Sequence, residues 1–250
     1  MSIKHHRSEA GYKIAYQHCK GEGVGVVFIH GFRSDMEGSK AVELHVFCEK
    51  HNIPFTRFDI FAHGVTGGDF LEYTIGHGVR DTLEILDHVA TGDQIIIGSS
   101  MGGWIMLAAA LERKAQVRGL IGIAAAPDFT ERFPAKMTPE ERKAIEEEGV
   151  IWRRSDYWGK DVPTTKNLLD EGKNHLLLDH PIPLECPVHL LHGQQDEDVP
   201  WQLSMQVAET ITGDDVQVTL VKDGDHRLSR PQDMELLKDA VLRMHRRLTA

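Results

Sequence analysis

Cysteine is scarce in this chain: three residues among 250, at positions 19, 48 and 186, odd in number and without Cys-x-x-Cys spacing. That excludes a disulfide framework and points to a reducing, cytoplasm-like compartment in which the thiols serve packing. Long apolar runs are missing too. The stretches 104–111 and 120–126 fall far short of the ~20 residues a bilayer demands, so no membrane span is expected. The polar segment 1–11 carries His5, His6 and Arg7 but no apolar core of a secretory signal follows it. Positive charge is in deficit: 28 Lys and Arg against 38 Asp and Glu give a net charge of -10, which argues against nucleic acid or an anionic membrane as partner. Fifteen histidines are present without His-Glu-x-x-His or comparable spacing, and pairs such as His189 and His192 lack acidic or thiol companions at motif spacing. No metal and no cofactor are expected. The glycine-rich segment 63–69 lacks the Gly-Lys-Ser/Thr ending of a phosphate loop and reads as a flexible loop flanking a site.

What is present is alternation. Apolar, β-rich runs at 26–29, 55–58, 94–97, 120–124, 188–191 and 216–221 are separated by segments of helical period at 36–50, 75–89, 104–113, 202–211 and 231–248. Strands apolar on both faces that alternate with helices predict an α/β fold with a mainly parallel sheet covered on both sides. The pattern breaks between Pro127 and Pro187, where charge and aromatics mix. Residues 1–126 and 187–250 are therefore read as the core, and 127–186 as a small helical lid over the carboxyl ends of the strands. Its first helix starts at Thr138-Pro139-Glu140-Glu141, a capping box with proline at the first helical position, and ends at Gly149. A second helix is expected in 165–178. Trp152 and Trp158, in this insertion, are expected to contact substrate.

Chemistry enters at Gly98-Ser99-Ser100-Met101-Gly102-Gly103, a Gly-x-Ser-x-Gly frame between a β-branched run and a helix. A sharp strand-to-helix turn strains the nucleophile's backbone and tolerates only small neighbours two residues away, which Gly98 and Gly102 provide. A serine hydroxyl needs a base, and the base an orienting acid. Downstream, the segment His192-Gly193-Gln194-Gln195-Asp196-Glu197-Asp198 follows one strand, and Asp223-Gly224-Asp225-His226 follows the last. The chain order is Ser100, Asp196, His226, with acid and base each in a strand-end loop downstream of the nucleophile. Asp198 is the reserve acid, with Asp128 third; whichever of Asp196 and Asp198 is unused is expected to cap the helix starting near Pro200. His30 competes with His226 for the role of base, but it lies in the expected oxyanion loop His30-Gly31-Phe32, where a structural role is expected of it. The backbone N–H groups of Met101 and Phe32 are the expected donors, with the Phe32 ring walling the substrate pocket.

These residues resemble the α/β-hydrolase superfamily over nearly the whole chain. The strings Gly98 to Trp104, His180-Pro181-Ile182-Pro183, Leu190-Leu191-His192-Gly193, Val199-Pro200-Trp201, Ser204 to Ala208 and Asp225-His226-Arg227 look like one subgroup, mitochondrial enzymes that cleave fatty acyl thioesters from protein cysteines and hydrolyse acyl glucuronides. The resemblance implies the α/β-hydrolase fold, the lid following its sixth strand. It implies Ser100 as nucleophile, Asp196 as acid, His226 as base, and a small-molecule ester or an acylated protein as substrate. The domain starts close to Met1, which leaves no room for a presequence, so a bacterial relative in the cytoplasm or a processed matrix form is expected. Serine at the elbow disfavours dehalogenase and epoxide hydrolase chemistry, and 7% aromatics with a charged lid disfavour an interfacial lipase. Amidase and lactonase activities stay open, as does a ligand receptor built on the same fold.

Overall fold

The computed structural model describes residues 2–155 and 159–249. In chain order the elements are β1 (Lys4–Arg7), β2 (Lys13–Cys19), β3 (Gly25–Ile29), α1 (Ser39–Lys50), β4 (Phe55–Phe58), α2 (Ile75–His88), β5 (Gln94–Ser99), α3 (Met101–Glu112) and β6 (Val117–Ile123). Then come α4 (Phe129–Arg132), α5 (Pro139–Glu147), β7 (Val150–Ser155), β8 (Lys160–Thr165), α6 (Lys166–Gly172), β9 (Val188–Gly193), α7 (Gln202–Thr210), β10 (Val216–Val221) and α8 (Pro231–Thr249). Eight strands form one sheet in the order β1-β2-β4-β3-β5-β6-β9-β10. The pairs from β4 to β10 are parallel, while β1 and β2 pair antiparallel at one edge.

Burial explains the central strands. All residues of β3 and β9 and nearly all of β5 and β6 are buried, because helices cover both faces. One apolar cluster joins Val27, Ile96, Trp104 and Leu190 beneath α2 and α3. The other joins Val26, Ile95, Leu44 and Val241 beneath α1 and α8. Alternate residues of one strand thus feed opposite layers, as the two-residue period of a strand requires.

The register decides where the loops emerge. Ile29 stands opposite Gly98, Ser99 opposite Ile123, and Gly193 opposite Val221, so β3, β5, β6, β9 and β10 end at one rim. Segments 30–38, 100–101, 194–201 and 222–230 all leave from it.

The insertion between β6 and β9 follows the sixth strand, but it is not purely helical. The helix α5 has the expected capping box, Thr138 Oγ1 accepting from the Glu141 N–H and the Glu141 carboxylate accepting from the Thr138 N–H. After Gly149, whose φ of 76° continues the turn, the chain forms a β7–β8 hairpin where a helical lid was expected. A two-stranded sheet is all edge, which is where a strand proline such as Pro163 is tolerated. Met137, Ile145, Ile151 and Leu169 give the insertion its own small core.

Candidate active site

Ser100 sits between β5 and α3 at φ 55° and ψ -120°, a conformation that non-glycine residues adopt only when the surroundings enforce it. The enforcement is visible at its neighbours. A Cβ on Gly98 would fall 2.3 Å from the Gly102 carbonyl oxygen, and one on Gly102 would fall 2.4 Å from that of Ile29. A Cβ on Gly31 would come within 3.3 Å of the Ser100 Cβ, so the loop after β3 lies directly against the elbow.

The three strand-end loops bring their side chains together. His226 Nε2 lies 3.0 Å from Ser100 Oγ, and His226 Nδ1 lies 2.7 Å from Asp196 Oδ2. Gly193 permits this approach, since a Cβ there would strike the Gly224 carbonyl oxygen at 2.3 Å. The 222–226 loop therefore rests on the 193–196 loop, joined by the Gln195 N–H donating to Gly224 O. The Asp196 side chain is fully buried. Burial alone would push its carboxyl up, but hydrogen bonds from His192, His226 and the Val199 N–H outweigh that and hold it well below the usual carboxylate range.

His192, adjacent to Gly193, is a functional neighbour that the sequence did not single out. Its buried ring has Nδ1 at 2.7 Å from Ser204 Oγ and Nε2 at 3.1 Å from Asp196 Oδ2 and 3.0 Å from Val199 O. Two acceptors at Nε2 place the proton there, so Nδ1 accepts from the Ser204 hydroxyl. The signal was its place at the end of a buried strand, four residues before the acid.

The other candidates fall elsewhere. Asp198 is exposed, and its backbone N–H donates to Asp196 Oδ1 at 2.9 Å. It does not cap α7, which has no side-chain cap: its N-cap, Trp201, stands in helical conformation. Asp128 accepts from the Leu177 and Leu178 N–H groups and so ties the entry of the insertion to its exit. His30 is buried with Nδ1–H donating to Gly31 O and Nε2 accepting from the Ile60 N–H, which leaves neither nitrogen for Ser100. The segment 63–69 is tied down: Asp59 Oδ2 accepts from the Val65 N–H and Asp59 O from the Thr66 hydroxyl.

Met101 opens α3 and Phe32 follows Gly31, both at the rim of a cavity of about 800 Å³ that Ser100 and His226 also line. Phe32, Phe129, Phe133, Val162 and Val199 supply its apolar wall. Trp152 is exposed and not among the lining residues. It lies on the face of the hairpin opposite Arg153 and Val162, which pair with each other and reach the cavity. Trp158 lies outside the described residues.

Asp196, Asp198 and His226 bring ligand atoms within 4.8 Å of one another, as do His6, Glu84 and His88 near the polar edge of the sheet. In the first group Asp196 and His226 already hydrogen-bond each other. A hydroxyl, an imidazole and a buried carboxylate in one hydrogen-bonded line can generate an alkoxide-like nucleophile and return its proton to a leaving group.

Residues 26–237 match the alpha/beta hydrolase family. Over 228 residues, 90% of this chain and 76% of the relative, the sequence is 43% identical to the mitochondrial palmitoyl-protein thioesterase ABHD10 of Mus musculus. The structure is similar to that of alpha/beta hydrolase domain-containing protein 10 from mouse, with TM-score 0.92 and 41% identity over 99% of this chain and 100% of that one. It is also similar to a putative hydrolase from Agrobacterium vitis S4, with TM-score 0.93 and 35% identity over 98% and 100%.

Proposed function

The chain belongs to the alpha/beta hydrolase family and is a hydrolase, and from that premise we propose that it cleaves carboxylic thioesters and esters by two-step acyl transfer to Ser100. The observation that carries this reading is the unbroken line Ser100 Oγ, His226, Asp196, with contacts of 3.0 and 2.7 Å. His226 Nε2 takes the hydroxyl proton as Oγ attacks the carbonyl carbon. The oxyanion is received by the N–H groups of Met101 and Phe32; the former is one of the helix-start donors that lack an intrahelical partner. The protonated His226 then gives its proton to the departing thiolate or alkoxide, leaving an acyl-enzyme. Water, deprotonated by the same nitrogen, attacks the acyl carbon, and collapse of the second tetrahedral adduct returns the proton to Ser100. Asp196 fixes the imidazole tautomer and stabilises its charged form.

The acyl group occupies the apolar side of the cavity, along Phe32, Phe129 and Val162. An acylated protein is the substrate class that the mouse relative's name carries, and a small ester is the other one this cavity admits. The insertion 127–186 acts as the lid. Cys19, Cys48 and Cys186 are all free, which fits a reducing compartment such as the cytoplasm; no helix among the described residues is long and apolar enough to cross a membrane.

A fluorophosphonate probe followed by intact mass tests the assignment. Wild type should gain one adduct and Ser100→Ala none, with hydrolysis of p-nitrophenyl esters lower by at least ~10³-fold in Ser100→Ala. Full ester turnover by Ser100→Ala protein overturns the reading. A labelled wild type that turns over no ester or thioester would mark a ligand receptor instead.

A further inference from the structure

The whole chain is acidic, with a net charge of -10, yet the cavity beside Ser100 is lined by seven Lys and Arg residues against two Asp. Arg33, Lys40 and Arg227 come from the core loops, and Arg132 and Lys136 from the insertion; Arg154, also in the lining, shares the Trp152 face of the hairpin. The seventh, Arg153, is held by both oxygens of Glu141, at 2.7 and 2.8 Å, and so is neutralised. The acids are Asp35 and Asp198.

Four of these cations rest on neutral groups. Lys40 Nζ donates to Arg227 O at 2.7 Å and Ser229 Oγ at 3.0 Å, Arg132 to Pro127 O at 2.6 Å, and Lys136 to Asp198 O at 3.2 Å. Arg33 lies over the Phe70 ring at 4.3 Å. Carbonyls and rings position a cation without cancelling its charge, so a positive field persists in a cleft with low-dielectric walls. Burial, and then the Arg227 charge, push the Lys40 ammonium down to about 8, against the opposing pull of Asp225 and Asp233.

Resting on the hydrolase reading, we propose that the leaving group of the substrate carries phosphate: the cavity accepts an acyl thioester of a phosphorylated carrier thiol. The apolar wall takes the acyl chain, and the thiolate departs toward the basic lining. One carboxylate would engage one or two of these cations, whereas a thiol bearing several phosphates engages groups on both the core loops and the insertion. Guanidinium and ammonium groups that keep their hydrogen-bond donors are suited to phosphate oxygens.

Octanoyl-CoA and octanoyl-pantetheine share acyl chain and thioester and differ in the nucleotide and phosphates. The expected kcat/KM is at least about tenfold higher for octanoyl-CoA at low ionic strength, with the ratio falling in 0.5 M KCl as the charges are screened, the Debye length being ~3 Å at 1 M. In the double variant Arg132→Gln/Lys136→Gln the ratio should fall about tenfold, and a ratio within one protein is insensitive to the fraction folded. Equal kcat/KM for the two thioesters, or a ratio indifferent to both salt and the double substitution, overturns the proposal. So does a preference for an octanoyl-cysteine peptide flanked by glutamates over octanoyl-CoA, which would assign the lining to an acidic protein. Hydrolysis of p-nitrophenyl octanoate reports on the hydrolase reading by itself. Should that reading fail, calorimetric titration of octanoyl-CoA into Ser100→Ala still decides: binding weakened by salt and by the double substitution supports the proposal, and no binding overturns it.

Discussion

His192 Nε2 stands 3.1 Å from Asp196 Oδ2, the same oxygen that receives the Nδ1 proton of His226 at 2.7 Å. With Oδ1 held by the N–H groups of Asp198 and Val199, the carboxylate has no freedom to rotate. Replacing His192 by Leu removes a hydrogen bond to a buried charge, an effect of about 1.5–3 kcal/mol. The expected outcome is a fall in kcat of about tenfold or more with KM for a neutral ester little changed, partly restored by His192→Gln. A variant with wild-type kcat would show that the backbone donors alone position Asp196.

Asp196 itself predicts a dependence of stability on pH. Its folded carboxyl titrates below the unfolded value of about 3.9, so its stabilisation is complete above the unfolded value and is lost as pH falls through the folded one. Urea unfolding of wild type and Asp196→Asn should therefore show a gap that is present at about pH 5 and closes on further acidification. A gap independent of pH would contradict the depressed titration. Turnover of Asp196→Asn at pH 7 should fall by about 10⁴-fold, as expected when the imidazole is held in the wrong tautomer.

At Ser100 the strained backbone separates two variants that are equally inactive. Ser100→Ala keeps a Cβ at φ 55°, and Ser100→Gly does not. Glycine should be the more stable of the two by about 1 kcal/mol, the left-handed penalty of a side chain less the greater freedom of the unfolded glycine. Thermal unfolding checks it; an alanine variant of higher Tm would mean the elbow carries no strain.

Gly193→Ala tests the loop stacking. Its Cβ would meet the backbone of Gly224 at 2.3 Å, and backbone cannot yield as a flexible side chain can. Displacement of His226 by about 1 Å should lower kcat by about 10²-fold. Gly67→Ala, where nothing lies within 4 Å of the added Cβ, is the matched control and should leave both activity and stability near wild type.

Much of this was legible because the informative residues sit where several constraints coincide. The strands β3, β5, β6 and β9 announce themselves by apolar residues on both faces, and the elbow by glycines that sterics require. Strands β1 and β2 did not, since Lys4–Arg7 is a polar, largely exposed edge whose pairing is set by Tyr16 and its neighbours rather than by its own pattern. The β7–β8 hairpin was hidden by Pro163 and by charges at both Arg153 and Arg154. Without that hairpin the alternation that turns Trp152 outward could not be applied. Asp198 read as a helix cap because its spacing to Pro200 fits one; the competing turn, in which Asp196 takes the local N–H groups, depends also on His226, thirty residues further along the chain, which no local pattern contains.

Asp128 clasps the N–H groups of Leu177 and Leu178, and Trp104 of α3 donates its indole N–H to His175 O at 2.8 Å. Both attachments lie where the intervening excursion departs and returns, so its two feet stand side by side on the core. Within the span 129–174, Leu168 also packs into the main core and Glu171 accepts from the Gly76 N–H, so a different segment grafted between the same anchor points would have to keep both contacts to retune what is admitted while the reacting groups below hold their places.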